Sequence, residues 1–124
     1  VAHDCGVMVN PLVIDGQVAG GAAHGLGFAM YEKMIWDDQA QPQSTNLAEY
    51  LLPGSAEMPN IQIEHIVVPS SQNPLGVKGV GESGLVPVPA VIASAIENAL
   101  KVHRVRINDI PVSPTDILAA VNDE

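Results

Sequence analysis

The residues best suited to chemistry sit in one run, Leu75-Gly76-Val77-Lys78-Gly79-Val80-Gly81-Glu82-Ser83-Gly84. Four glycines surround a single lysine and a single glutamate. A glycine-rich turn leaves main-chain N–H groups open to a ligand, and Lys78 adds a positive charge beside them. Glu82 is then held next to that ligand, just before a helix. The run is not a nucleotide loop of a common kind. No Lys-Ser/Thr follows the second glycine, so the Walker pattern fails. No G-x-G-x-x-G follows a βαβ start, so the dinucleotide fingerprint fails as well. On composition alone, an ordinary tight turn and a ligand loop both stay open.

A second concentration of glycine lies upstream, at Gly16, Gly20, Gly21, Gly25 and Gly27. It falls within a segment whose Val18, Ala22, Leu26, Ala29 and Met30 recur at helical spacing, which predicts a helix from Asp15 to Tyr31 with Asp15 as N-cap. Each interior glycine costs a helix about 1 kcal/mol relative to alanine. Such a helix needs close approach to its backbone, either by a packed neighbour or by a large ligand.

Other chemistry finds little support. His3, His24, His65 and His103 lack the spacing of a metal site. Cys5 matches no cluster motif and reads as a small buried hydrophobe. Ser83 lacks a nucleophile elbow. Asp37-Asp38 reads as a solvated turn.

The positioning elements follow from the rest of the pattern. Val1 to Val9 is expected to form a strand that Asn10-Pro11 breaks. Glu32 to Trp36 reads as a strand with its turn at Asp37-Asp38-Gln39. The stretch 41–60, with Pro42, Pro53 and Pro59, reads as an irregular connection. Ile61 to Val68 alternates at first and is expected to be a strand. Val88 to Val102 predicts a helix with one apolar stripe: Val88, Val91, Ile92, Ala95, Ile96, Ala99 and Leu100. Val105 to Ile107 reads as a short strand. Ser113-Pro114-Thr115-Asp116 predicts a helix start, with Ile117, Leu118 and Val121 on its buried side. Together these elements give an α+β fold, a mixed sheet with packed helices.

Composition narrows the function classes. The 124 residues suit one domain. Fourteen acidic residues against five basic ones give a net charge of −9. That balance disfavours nucleic acid as a partner. No apolar run is long enough for a bilayer, and no signal peptide is visible. The lone cysteine fits a reducing cytoplasm. The opening Val1-Ala2-His3-Asp4-Cys5, without Met, would suit the middle of a longer polypeptide, a processed end or an artificial boundary.

Lys78-Gly79-Val80-Gly81-Glu82 resembles the hallmark segment near the C-terminus of the large, molybdopterin-binding subunit of xanthine oxidase/aldehyde oxidase-type molybdenum hydroxylases. The order of motifs upstream is similar too: Asp4-Cys5-Gly6, Asn10-Pro11, Gly16-Gln17-Val18, Gly20-Gly21, Gly25-Leu26-Gly27 and Glu32, then Tyr50-Leu51-Leu52-Pro53 and Asn73-Pro74-Leu75. The resemblance implies that residues 1–124 are the C-terminal segment of a molybdopterin-binding oxidoreductase domain. It implies a molybdenum–molybdopterin cofactor, often in the cytosine dinucleotide form. Gln17 matches a glutamine that contacts the pterin, and Gly79, Val80 and Gly81 match backbone near the metal. No side chain is implied as a metal ligand. Glu82 matches the glutamate beside the metal that acts as general base. Iron–sulfur clusters and FAD on partner chains or domains would carry the electrons away. The implied reaction oxidises an aldehyde, N-heterocycle or similar small molecule with water as oxygen source, with a carbon monoxide dehydrogenase-type activity as a sub-option. The competing class is a non-catalytic domain or remnant that keeps the fold without turnover.

Overall fold

In the computed structural model, which describes residues 1–122, a long central helix carries the core. Helix α1 spans Pro11–Met30. It begins four residues before the expected Asp15, because Asn10 is the N-cap and its side-chain oxygen accepts from the Val13 N–H at 3.3 Å. Pro11 fits the first turn, where its missing N–H is no loss. The Asn-Pro pair is thus a helix start. The helix closes where Tyr31 and Glu32 both donate N–H to the Gly27 carbonyl at 2.9 Å.

Ile14, Val18, Ala22, Leu26 and Ala29 are buried along one side of α1. They meet Cys5, Val105 and Val112, which complete the buried apolar set among the described residues. Val112 is pinned there by its N–H, which donates to the Ala29 carbonyl at 2.7 Å. The opposite side of α1 is also apolar and is open: Leu12 is 82% and Val13 55% exposed. None of the described helices is long and apolar enough to cross a membrane.

The α+β expectation holds, with a smaller sheet than the sequence suggested. Strand β1 is Ala2–His3 and strand β2 is Glu64–His65. They pair in parallel, Ala2 with Glu64 and His3 with His65. The expected strand over Glu32–Trp36 reduces to one antiparallel bridge between Trp36 and Pro42. Its turn is present, since the Asp37 side chain accepts from the Gln39 and Gln41 N–H groups at 2.9 Å. Residues 41–60 are irregular, as expected.

Helix α2, Val88–Ala99, packs on α1. It stops short of Val102, and a 3-10 turn follows at Lys101–His103. Its apolar stripe is only partly covered, and Val91 remains 60% exposed. The expected strand at Val105–Ile107 is absent: Val105 joins the core, and the Ile107 N–H donates to the Glu97 side chain at 2.9 Å. Helix α3, Pro114–Asn122, starts as predicted. The Asp116 carboxylate accepts from the Ser113 N–H and hydroxyl, and the Ser113 oxygen accepts in turn from the Asp116 N–H at 3.2 Å. That reciprocal pairing is a capping box. The expected buried side of α3 is not buried, and Leu118 is 60% exposed.

Candidate functional site

Two glycine sets bring the 76–88 segment onto α1. A Cβ at Gly21 would lie 2.8 Å from the Leu85 nitrogen, and one at Gly25 would lie 2.5 Å from the Val88 Cβ. From the other side, Gly84 sits on the Val18 main chain. No side chain fits in these gaps, so packing against a neighbouring element accounts for Gly21 and Gly25. Gly16 and Gly20 differ, because a Cβ at either would meet nothing within 4 Å. Their backbone lies bare on the exposed side of the helix.

The loop 79–82 therefore hangs from a fixed turn, next to the exposed edge of α1. A Cβ at Gly79 would meet nothing within 4 Å, and one at Gly81 would meet only the Gln17 Nε2, at 3.9 Å. The fold thus brings Gln17 and Gly81 together from positions 64 apart in the chain. Among the described residues, the N–H groups of Gly79, Val80, Gly81 and Glu82 donate to no protein acceptor. In this exposed loop such donors are left to water, and a row of them suits a ligand rich in acceptors that takes the water's place. A pterin bearing phosphate and several ring heteroatoms meets that description, so the residues present fit the implied cofactor.

Glu82 is exposed, and its carboxylate makes no hydrogen bond or ion pair among the described residues. Its main-chain carbonyl shapes the turn by accepting from the Leu85 and Val86 N–H groups at 3.0 and 3.2 Å. The side chain does not cap α2, whose N-cap is Pro87 with no side-chain bond. A purely local capping role for the carboxylate thus has no contact to support it.

Lys78 is placed beside the loop, but its ammonium points elsewhere. It donates to the Asp4 carboxylate at 2.5 Å. The ammonium therefore adds less free positive charge to the loop than the sequence suggested. Asp4 also accepts from the Gly6 N–H at 2.8 Å and the Val68 N–H at 3.2 Å. These bonds, the Lys78 one foremost, hold the Asp4 carboxyl down at about 2. Sequence reading missed Asp4 as a partner. The scarcity of cations was the available signal, since each of five basic residues among fourteen acidic ones has many suitors.

The histidines have separate surroundings. His3 Nε2 lies 3.4 Å from the Ser83 hydroxyl, which itself donates to the Val80 carbonyl at 2.9 Å. His65 pairs with Asp15 at 2.7 Å, and His24 lies against Phe28 with the two rings tilted by 46° and their centroids 4.5 Å apart.

A cleft of about 190 Å³ opens beside the loop, lined by Cys5, Val9, Asn10, Val77, Lys78 and Val80 among others. It falls below the roughly 300 Å³ from which small-molecule sites usually start. A larger groove of about 490 Å³ runs past Glu97, Lys101 and Arg104, and it shares no residue with the loop. Of the loop and its root, only Lys78 and Val80 line the smaller cleft, while Gln17 and Glu82 lie outside it.

Comparison with known proteins gives the family of the chain. Residues 1–59 match the family described as Molybdopterin cofactor-binding domain. The chain is 34% identical to the nicotine 6-hydroxylase large subunit of Paenarthrobacter nicotinovorans, over 95% of this chain and 14% of that one. It is also 34% identical to the putative xanthine dehydrogenase molybdenum-binding subunit of Escherichia coli K12, over 90% of this chain and 15% of that one. The crystal structure of quinoline 2-oxidoreductase from Pseudomonas putida 86 superposes with a TM-score of 0.95 and 36% identity, over 99% of this chain and 16% of that one. The chain thus spans about a seventh of the length of the relatives it matches.

Proposed function

Because this chain belongs to the xanthine oxidase/aldehyde oxidase type of molybdenum hydroxylases, as a fragment of their molybdopterin-binding subunit, we propose that it forms one wall of the molybdenum cofactor site in a larger enzyme. In this reading residues 1–124 are the C-terminal segment of that subunit. The enzyme oxidises an aldehyde, N-heterocycle or similar small substrate and takes its oxygen from water. The names of the relatives span nicotine, xanthine and quinoline, so the class of reaction carries over better than the substrate.

Gln17 and the main chain of Gly79, Val80 and Gly81 hold the cofactor, in molybdopterin or cytosine dinucleotide form. Lys78 contributes at the root of the loop. When bound, the cofactor supplies the two-electron oxidation and the activation of water. Glu82 accepts the proton that water's oxygen gives up on joining the substrate carbon. The rest of the subunit closes the cavity and excludes solvent. Partner chains with iron–sulfur and flavin groups pass the electrons on. The lone thiol of Cys5 accords with a cytoplasmic setting.

The observation that carries this reading is the row of unpartnered amides at 79–82 leading to an uncommitted Glu82 carboxylate. The test is Glu82→Gln in the complete enzyme, with molybdenum measured on the same sample. Losing a general base costs about 10²–10⁴-fold in rate. The variant should therefore keep its metal and lose turnover by at least about a hundredfold. Near-normal turnover would remove Glu82 from the mechanism. A native protein of this size alone, free of molybdenum, would favour a non-catalytic module.

A further inference from the structure

Both stems of the 79–82 loop are gripped by the same short segment at the start of the chain. Upstream, the Lys78 N–H donates to the Cys5 carbonyl at 2.8 Å, and its ammonium donates to Asp4 at 2.5 Å. Downstream, Ser83 meets His3 at 3.4 Å. Between these ties the loop's own amides bond to nothing in the described protein, so the stems set where the loop lies. Asp4 is itself fixed, because its other carboxylate oxygen is occupied by the Gly6 and Val68 N–H groups. An exposed ion pair of this kind contributes little to stability. Its effect on position is a different matter, since it fixes the residue just before Gly79.

We propose that Asp4 is a positioning residue for Glu82, acting through Lys78 to hold the upstream stem of the loop. This rests on the reading of Glu82 as the base. A displacement of about 1 Å at a reacting group can cost about a hundredfold in rate, so slack in this stem reaches the chemistry without loss of the fold. Asp4→Asn keeps the side chain's shape and its main-chain acceptor while weakening the grip on Lys78. Lys78→Met removes the grip, and Lys78→Arg keeps it.

The test uses the complete, molybdenum-loaded enzyme and four measurements: metal content, amide hydrogen exchange of the peptide covering 79–86, kcat and KM. Quinoline, nicotine and xanthine serve as probe substrates. Asp4→Asn and Lys78→Met should keep their molybdenum and exchange the 79–82 amides at least about tenfold faster. They should also lower kcat at least about tenfold with little change in KM. Lys78→Arg should stay close to wild type. In a Glu82→Gln background, Asp4→Asn should add no further loss of rate, because the two act as one unit. Unchanged exchange at 79–82 would overturn the inference even if none of the three probes is turned over. So would loss of molybdenum in Lys78→Met but not in Asp4→Asn, which would make Lys78 a direct cofactor contact. An equal loss of rate from Asp4→Asn with and without Glu82 would sink the inference and leave the base in place. A normal rate in Glu82→Gln alone would instead remove the base.

Discussion

Gly84 rests on the main chain of Val18: a Cβ there would lie 2.9 Å from the Val18 Cα and would overlap its carbonyl oxygen. Neither partner can yield by turning a side chain. Gly84→Ala in the complete enzyme should therefore cost about 1–3 kcal/mol, the usual range for overpacking. The turn that starts at Glu82 should lift off α1, so molybdenum content should fall with the melting temperature. Wild-type stability in that variant would contradict the packing described.

Gln17 stands beside Gly81 on the exposed edge of α1, and its side chain makes no hydrogen bond among the described residues. Gln17→Ala should leave the fold intact and reduce cofactor retention. Turnover per molybdenum atom should change less than molybdenum content does. Full metal content with depressed turnover would reassign Gln17 to the chemistry.

Helix α1 is apolar almost all round, and a helix of that kind is normally buried. Gly16→Ala and Gly20→Ala meet open space within this chain, where alanine should favour the helix by about 1 kcal/mol. In the complete enzyme the opposite sign is expected, because the bare backbone there is the side left for the remaining chain or the cofactor to touch. A rise in melting temperature in both variants would show that the side stays open.

Acid should loosen the brace between β1 and the loop. The Asp4 carboxyl is held at about 2, below its ordinary 3.8, chiefly by the Lys78 bond. A carboxyl depressed by folding stabilises the fold above its ordinary value. That contribution fades as pH falls from about 3.8 towards 2. Acid unfolding curves of the complete enzyme should show this loss in the wild type and lack it in Asp4→Asn. Parallel curves would mean that the bond contributes nothing.

Ser113 and Asp116 fix the start of α3 with three mutual hydrogen bonds. Those bonds lower the Asp116 carboxyl, the Ser113 hydroxyl foremost. Ser113→Ala should fray the helix start and lower the melting temperature slightly, with no effect on molybdenum content. A change in metal content would tie α3 to the site.

What the sequence made legible was local. Ser113 and Asp116 announce a helix because the cap is complete within four residues. The Gly79–Glu82 loop is legible for the same reason. The Asn10-Pro11 start was misread because the same pair also breaks strands, and only the tertiary setting of α1 decides between them. Ile61, Ile63 and His65 alternate as a strand should, yet a strand needs a partner, and β1 offers only Ala2 and His3. The Asp4–Lys78 bond and the approach of Gln17 to Gly81 bring together residues 74 and 64 positions apart. No periodicity reports such a meeting.

The first residues are stitched almost wholly to the second half of the chain. The Glu64 N–H donates to the Val1 carbonyl at 2.8 Å, the Ile66 N–H to the His3 carbonyl at 2.9 Å and the Val7 N–H to the Gly76 carbonyl at 3.0 Å. Between the two halves lies the exposed, irregular stretch around 37–60, where a protease would cut first. A nick there would sever the backbone without separating the pieces. The upstream piece would retain α1 and β1, the downstream piece the Glu82 loop, and the seam between them would stay closed. A protein cleaved at one bond in that stretch should therefore migrate as two bands under denaturing conditions and as one body under native ones.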